Sequence, residues 1–144
     1  MKSVSQLRVI DVFDSPYFRK TDVVAGENGL NEFIRWVHIL EITEIGHLLN
    51  GHELILTTGV GWKENEQLSL SFLKQLIDKK VAGLCVELGT YVKTIPEAMI
   101  EMANEYNFPI IVFKEEVRFI DITQELNGML MELHNQMMVK LEAI

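Results

Sequence analysis

Cysteine is nearly missing from this 144-residue chain, which has a single one, Cys85. Without a second thiol a disulfide framework is excluded. Cys85 lies inside the apolar run Val81 to Leu88, and it reads as a reduced, buried thiol of the cytoplasm. Basic residues are also scarce, thirteen against twenty-one acidic, for a formal charge of -8. Such a surface repels the phosphate backbone, whose neutralisation by Lys and Arg dominates nucleic-acid affinity. Nothing resembles a basic recognition helix, so any contact with DNA belongs to a part of the protein outside this chain. No apolar stretch approaches the ~20 residues that a membrane helix needs. Lys2, Arg8, Asp11, Asp14, Arg19 and Lys20 interrupt any signal-peptide core. The expectation is a soluble cytoplasmic protein with no membrane partner. Internal repeats and low-complexity linkers are lacking as well, and the length is that of one ordinary domain with a sizeable core.

The usual chemical motifs are missing too. Gly59-Val60-Gly61 has neither the third glycine of a dinucleotide fingerprint nor a Gly-Lys-Ser/Thr ending. His38, Glu41, Glu44, His47, His52 and Glu53 invite a metal hypothesis, but His38 and Glu41 would point to opposite faces of a strand. There is no His-Glu-x-x-His and there are no paired cysteines, so no metal site is assigned. A Gly-x-Ser-x-Gly elbow and a poised thiol are also lacking. No catalytic residue and no cofactor are assigned. The chain reads as a sensor rather than an enzyme.

What is present is a regular alternation of elements. Val4, Leu7, Val9, Ile10 and Phe13 predict a short helix closed by Ser15-Pro16. Thr21 to Ala25 reads as a strand, and Gly26-Glu27-Asn28-Gly29 as a turn with two residues free to take positive φ. Phe33 to Ile42 is β-branched and aromatic enough for a second strand. Glu44 to Leu49 suits one or two helical turns, ended by Asn50-Gly51. Leu54-Ile55-Leu56 is apolar on both faces, like a central strand covered from each side. Leu68, Phe72, Leu73, Leu76 and Ile77 recur at helical spacing, and Val81 to Leu88 is a further buried strand. Ile95, Ala98, Met99, Met102, Ala103 and Tyr106 mark a second amphipathic helix, with Thr94 and Glu97 placed for a capping box and Pro96 in the first turn. Pro109 to Phe113 is the third buried strand. The fold class is therefore α/β: a largely parallel sheet with helices on both faces, a βαβαβ core with right-handed crossovers, and a long C-terminal helix.

That last helix gives the division into residues 1–118, an α/β sensory domain, and 119–144, an amphipathic connector. Phe119, Ile122, Leu126, Met129, Leu133, Met137, Leu141 and Ile144 form one apolar stripe, at a cost of about 1 kcal/mol for the interior Gly128. Met129, Met131, Met137 and Met138 add pliability. The helix reaches the last residue with no cap or breaker, as in a domain cut from something longer or a helix that pairs with another chain. A homodimer through Phe119–Ile144 is expected.

Parallel sheets bind ligands beyond the carboxyl ends of their strands. The residues falling there are Thr57, Thr58 and Gly59, then Glu87, Gly89 and Thr90, then Phe113 and Lys114. Two hydroxyls, a carboxylate and an ammonium on one edge suit a small metabolite, and Thr57, Thr58, Gly59, Glu87, Thr90 and Lys114 are the candidate ligand-binding residues. The competing reading is that the threonines satisfy backbone groups at a strand end.

Taken together, Val24-Ala25-Gly26 before Gly29-Leu30, Arg35-Trp36-Val37-His38 with Glu41, Gly51-His52-Glu53-Leu54-Ile55-Leu56-Thr57-Thr58-Gly59, Val81-Ala82-Gly83-Leu84, Ile95-Pro96, and Ala103 before Phe108-Pro109-Ile110-Ile111 resemble the N-terminal domain of PucR-type regulators of purine catabolism. The resemblance reaches about Leu130. One departure is His52, where that family often has a second glycine. The resemblance implies a bacterial, oligomeric transcription regulator whose N-terminal domain receives a catabolic signal and whose C-terminal helix-turn-helix, absent here, binds DNA. Two other readings stay open: an assembly module with no ligand of its own, and a cryptic enzyme acting on a small amide or ureide.

Overall fold

A computed structural model describes residues 6–142. Short 3-10 segments, Val9–Asp14 and Pro16–Phe18, precede β1 (Thr21–Ala25). The chain continues through β2 (Trp36–Ile39), β3 (Glu53–Thr57), α1 (Glu66–Asp78), β4 (Gly83–Glu87), α2 (Glu97–Glu105), β5 (Ile110–Phe113) and α3 (Phe119–Glu142). The five strands make one sheet in the order β1-β5-β4-β3-β2. Strands β2 to β5 are parallel, while β1 runs antiparallel to β5 at one edge. This is the expected α/β class: a largely parallel sheet, helices on both faces and a long C-terminal helix.

Strand alternation divides the core in two. Ile55, Leu84, Val86, Ile110 and Val112 face α1 and α2, where Phe72, Leu73, Leu76, Met99 and Ala103 close over them. Leu54, Leu56, Cys85, Ile111 and Phe113 face the other way, against Ile122 and Leu126 of α3 and against Leu7, Val9, Val12 and Phe18 of the N-terminal segment. The three central strands are buried along their whole length. Each fully buried Leu, Ile or Phe in these layers contributes about 1.5–3 kcal/mol relative to exposure. Helix α1 starts where Asn65 accepts a hydrogen bond from the Leu68 amide at 3.0 Å, an N-cap that satisfies one orphan donor.

Several local expectations are corrected. The opening helix is 3-10 and begins at Val9; Val4 lies outside the described residues. The second strand shrinks to Trp36–Ile39, because Phe33 and Ile34 turn inward to meet the N-terminal segment at the Arg8–Phe33 bridge. The turns within 44–49 reduce to the 3-10 segment Gly46–Leu48. Gly26 takes positive φ (68°), but Gly29 does not. Its missing side chain serves packing instead, since a β-carbon there would sit 1.9 Å from the Asn107 carbonyl oxygen. The left-handed turn before β3 is made by Gly51 and His52 rather than Asn50-Gly51. No Thr94–Glu97 capping box forms: Pro96 itself is the N-cap of α2 and offers no side-chain acceptor. Among the described residues, no helix is long and apolar enough to cross a membrane.

Candidate functional site at the carboxyl edge of the sheet

The crossovers after β3 and β4 both place their helices on one face, whereas the chain leaving β5 passes to α3 on the other. The connections from β4 and β5 therefore diverge to opposite sides, which makes their carboxyl ends the topological switch point of this sheet. Glu87, the last residue of β4, sits there with only 5% of its surface exposed. Its carboxylate accepts hydrogen bonds from the Thr90 hydroxyl at 3.2 Å and from the Val117 amide at 3.1 Å. The second bond ties the strand end to the segment that enters α3 two residues later.

At the end of β3 the two threonine hydroxyls do not face open space. Thr57 donates to Glu41 at 2.5 Å, and Thr58 donates to the same carboxylate through its amide (2.9 Å) and its hydroxyl (2.6 Å). Glu41 follows β2, so this bond set closes the β2–β3 connection over the strand end. The same connection is pinned from α1, where the Gln75 amide oxygen accepts from Ile45 and Gly46 at 2.9 Å and its nitrogen donates to the Thr43 carbonyl. Gly59 (φ 78°) is required by crowding, since a β-carbon there would lie 2.5 Å from Val92 Cγ2. Lys114 is not part of the cluster: its ammonium lies 3.5 Å from Asp22 on the outer strand β1, and both side chains are solvated. The edge thus brings together Thr57, Thr58 and Glu41 in one group and Glu87 and Thr90 in another.

Beside these groups a hollow of about 560 Å³ opens between the β3–α1 and β4–α2 connections. Trp62, Lys63, Tyr91, Lys93 and Thr94 line it, and none of the six candidate residues does. Lys63 holds its ammonium 5.2 Å from the centre of the Tyr91 ring, a cation–π contact. Trp62 is 3% exposed and its buried indole N–H has no hydrogen-bond partner among the described residues. Burying a donor without an acceptor costs about 1–3 kcal/mol. Trp62 could have been noticed as an aromatic beside a strand end. Val117 had no signal in the sequence at all, because it contributes only a backbone amide.

At the opposite edge, Glu53 explains the Gly51-His52-Glu53 motif. It is 3% exposed and accepts from the Asn50 and Gly51 amides at 2.6 and 2.8 Å, which fixes the tight turn ahead of β3. Asn127 of α3 meets β2 along its free edge, accepting from the Val37 amide at 2.9 Å and donating to the Val37 carbonyl at 3.1 Å. Cys85 is fully buried in β4, and burial pushes its thiol up, away from the reactive thiolate. No cluster of three or more His, Cys, Asp or Glu able to hold a metal ion occurs among the described residues.

This is a largely parallel α/β domain whose strand-end polar groups are engaged chiefly with its own connections, and comparison with known proteins gives the family. The chain matches the purine catabolism regulatory protein-like (PucR) family over residues 11–130, and it belongs to that family. It is 29% identical over 116 residues to the purine catabolism regulatory protein of Bacillus subtilis (strain 168), covering 81% of this chain and 22% of that protein. It is 22% identical over 100 residues to the transcriptional activator PmfR of Paenarthrobacter nicotinovorans, covering 69% of this chain and 21% of the relative. The chain therefore spans about a fifth of the length of these relatives. Among solved structures it is similar to the CBS and DRTGG domains of the regulatory region of Clostridium perfringens pyrophosphatase, determined with the activator diadenosine tetraphosphate. The TM-score there is 0.55 at 14% identity, with 83% of this chain and 46% of that one covered, a likeness of fold.

Proposed function

We propose that this chain is the signal-receiving domain of a PucR-family transcription regulator. It binds a small catabolic metabolite and controls a DNA-binding domain that lies outside the chain. The observation that carries the reading is Glu87, one carboxylate at the switch point that holds Thr90 beside the hollow and Val117 at the entry to α3. A metabolite entering at the carboxyl edge competes for these bonds and so changes the tether of α3. Of the predicted site residues, Glu87 and Thr90 take part through the hydrogen bonds a ligand would displace, without lining the hollow; Thr57, Thr58 and Gly59 shape the neighbouring wall through Glu41 and Val92, and Lys114 takes no part. The unpartnered Trp62 N–H supplies a donor for a polar, planar ligand. The relatives' names, a purine catabolism regulatory protein and a transcriptional activator, support this class of role.

Helix α3 is the output in this reading, and it serves as a homodimer contact. Ile122 and Leu126 are buried on the sheet, but Met137, Met138, Val139 and Leu141 expose 46–64% of their surface beyond it. The two final residues of the expected 119–144 contact lie outside the described residues.

Thermal shift against a panel of purine-degradation products and amino acids tests the sensing role. A ligand that raises the melting temperature of the wild type, and loses that effect in Glu87→Gln, is the expected result. Silence across the whole panel counts against direct sensing. Light scattering tests the assembly role, since Met137→Glu combined with Leu141→Glu should convert a dimer to a monomer without unfolding it.

A further inference from the structure

A second hollow, of about 610 Å³, lies at the opposite edge of the sheet, between α3 and the amino ends of β2 and β3. Acidic residues outnumber basic ones twenty-one to thirteen in this chain. Yet no carboxylate lines this hollow, whose polar walls are Arg35, Trp36, His52 and His134 with two amides. Four other hollows on the surface each carry at least one Asp or Glu.

His52 is the unusual member. Its backbone is left-handed (φ 64°), a conformation that residues with a β-carbon rarely adopt. Its amide donates to the Lys80 carbonyl and its own carbonyl accepts from the Arg35 amide, both at 2.8 Å, so the main chain cannot relax. Its ring stacks on Phe33, with centroids 4.4 Å apart and planes within 8°. Held this way, its Nδ1 is buried and has no hydrogen-bond partner among the described residues. A buried polar atom left unpaired calls for an explanation, and a concave hollow with a few convergent polar groups is where ligands bind.

We infer that this hollow is a binding site for a planar, carboxylate-bearing small molecule. The imidazole of His52 and the guanidinium of Arg35 meet the carboxylate, and Trp36, 38% exposed, covers the plane. Guanidinium groups recognise carboxylates in a bidentate, charge-assisted way, and an indole face offers a stacking platform. His134 and Met131 place the same molecule against α3, so occupancy here reaches the helix directly rather than through Val117. The inference stands on its own residues and does not depend on the carboxyl-edge reading.

The test is an NMR titration of the chain with benzoate, using benzamide as the uncharged isostere. Saturable shifts of the His52 ring nitrogens and the Trp36 indole N–H are expected with benzoate, and at least tenfold weaker binding with benzamide. His52→Gly keeps the left-handed turn and should weaken benzoate binding at least tenfold. Arg35→Gln, whose side chain is exposed, should do the same without touching the fold. Equal binding of benzamide, no shift at His52 and Trp36, or wild-type affinity in both variants would each overturn the assignment.

Discussion

Glu53→Ala isolates what a single buried carboxylate does for this fold. The side chain is 3% exposed and holds two amides, of Asn50 and Gly51, at 2.6 and 2.8 Å. Gly51 is buried, so its amide has no route to water once the carboxylate is gone, while the exposed Asn50 recovers part of its hydration. Counting a full penalty for one donor and a partial one for the other gives a loss of about 3 kcal/mol. For a domain of this size the melting temperature should fall by about 6–12 °C. Glu53→Gln keeps one acceptor oxygen but brings an amide group against a backbone donor, so it should lie between the two. Glu115→Gln is the control, because its ion pair with Lys20 is solvated at both ends and such pairs contribute about 0–1 kcal/mol. Urea unfolding followed by tryptophan fluorescence reads the change, with an unaltered slope showing that the unfolded reference is the same. Should Glu53→Ala melt within about 2 °C of the wild type, the turn would not depend on this carboxylate and the reasoning would fail.

Three other expectations follow from the same geometry. Asn127→Leu strips Val37 of both side-chain partners at the free edge of β2, costing about 1–2 kcal/mol and favouring edge-to-edge association that sedimentation would detect as a concentration-dependent rise in mass. Gly26→Ala forces a β-carbon to within 1.9 Å of the Phe108 carbonyl at φ 68°, so a loss above about 2 kcal/mol is expected in denaturant. Cys85, its thiol pushed up by burial, should not react with a thiol reagent at pH 8 until the chain unfolds, and rapid stoichiometric labelling of the native protein would contradict the buried assignment.

The central strands and the helices packed on them were legible because they carried a complete local signal. Phe72, Leu73 and Leu76 repeat at helical spacing, and Leu54-Ile55-Leu56 can only be covered from both sides. The capping box at Thr94 does not form because Pro96 keeps an extended backbone (ψ 140°) and is itself the N-cap, so the helix starts at Glu97 and Thr94 lies before it. The candidate site was legible in part. Its location at the carboxyl edge follows from strand order, and Glu87 and Thr90 do meet there. Thr57 and Thr58 read as free hydroxyls until Glu41, sixteen and seventeen residues earlier in sequence, is seen to occupy them.

By itself the sequence determined the alternation of buried strands and amphipathic helices, the acidic surface and the family, all of which rest on composition, period and motif. Only the tertiary structure decided which carboxylates are spent. Glu41, Glu53 and Glu87 look alike in sequence, yet each is held by amides or hydroxyls that folding brings within 3.2 Å. It also decided that the hollow between His52 and α3 has no acid in its wall. The reason is physical: the partners of Glu41 lie sixteen and seventeen residues away and Val117 lies thirty from Glu87, while Glu53 meets its neighbours Asn50 and Gly51 only through the left-handed turn, and no local period encodes either arrangement.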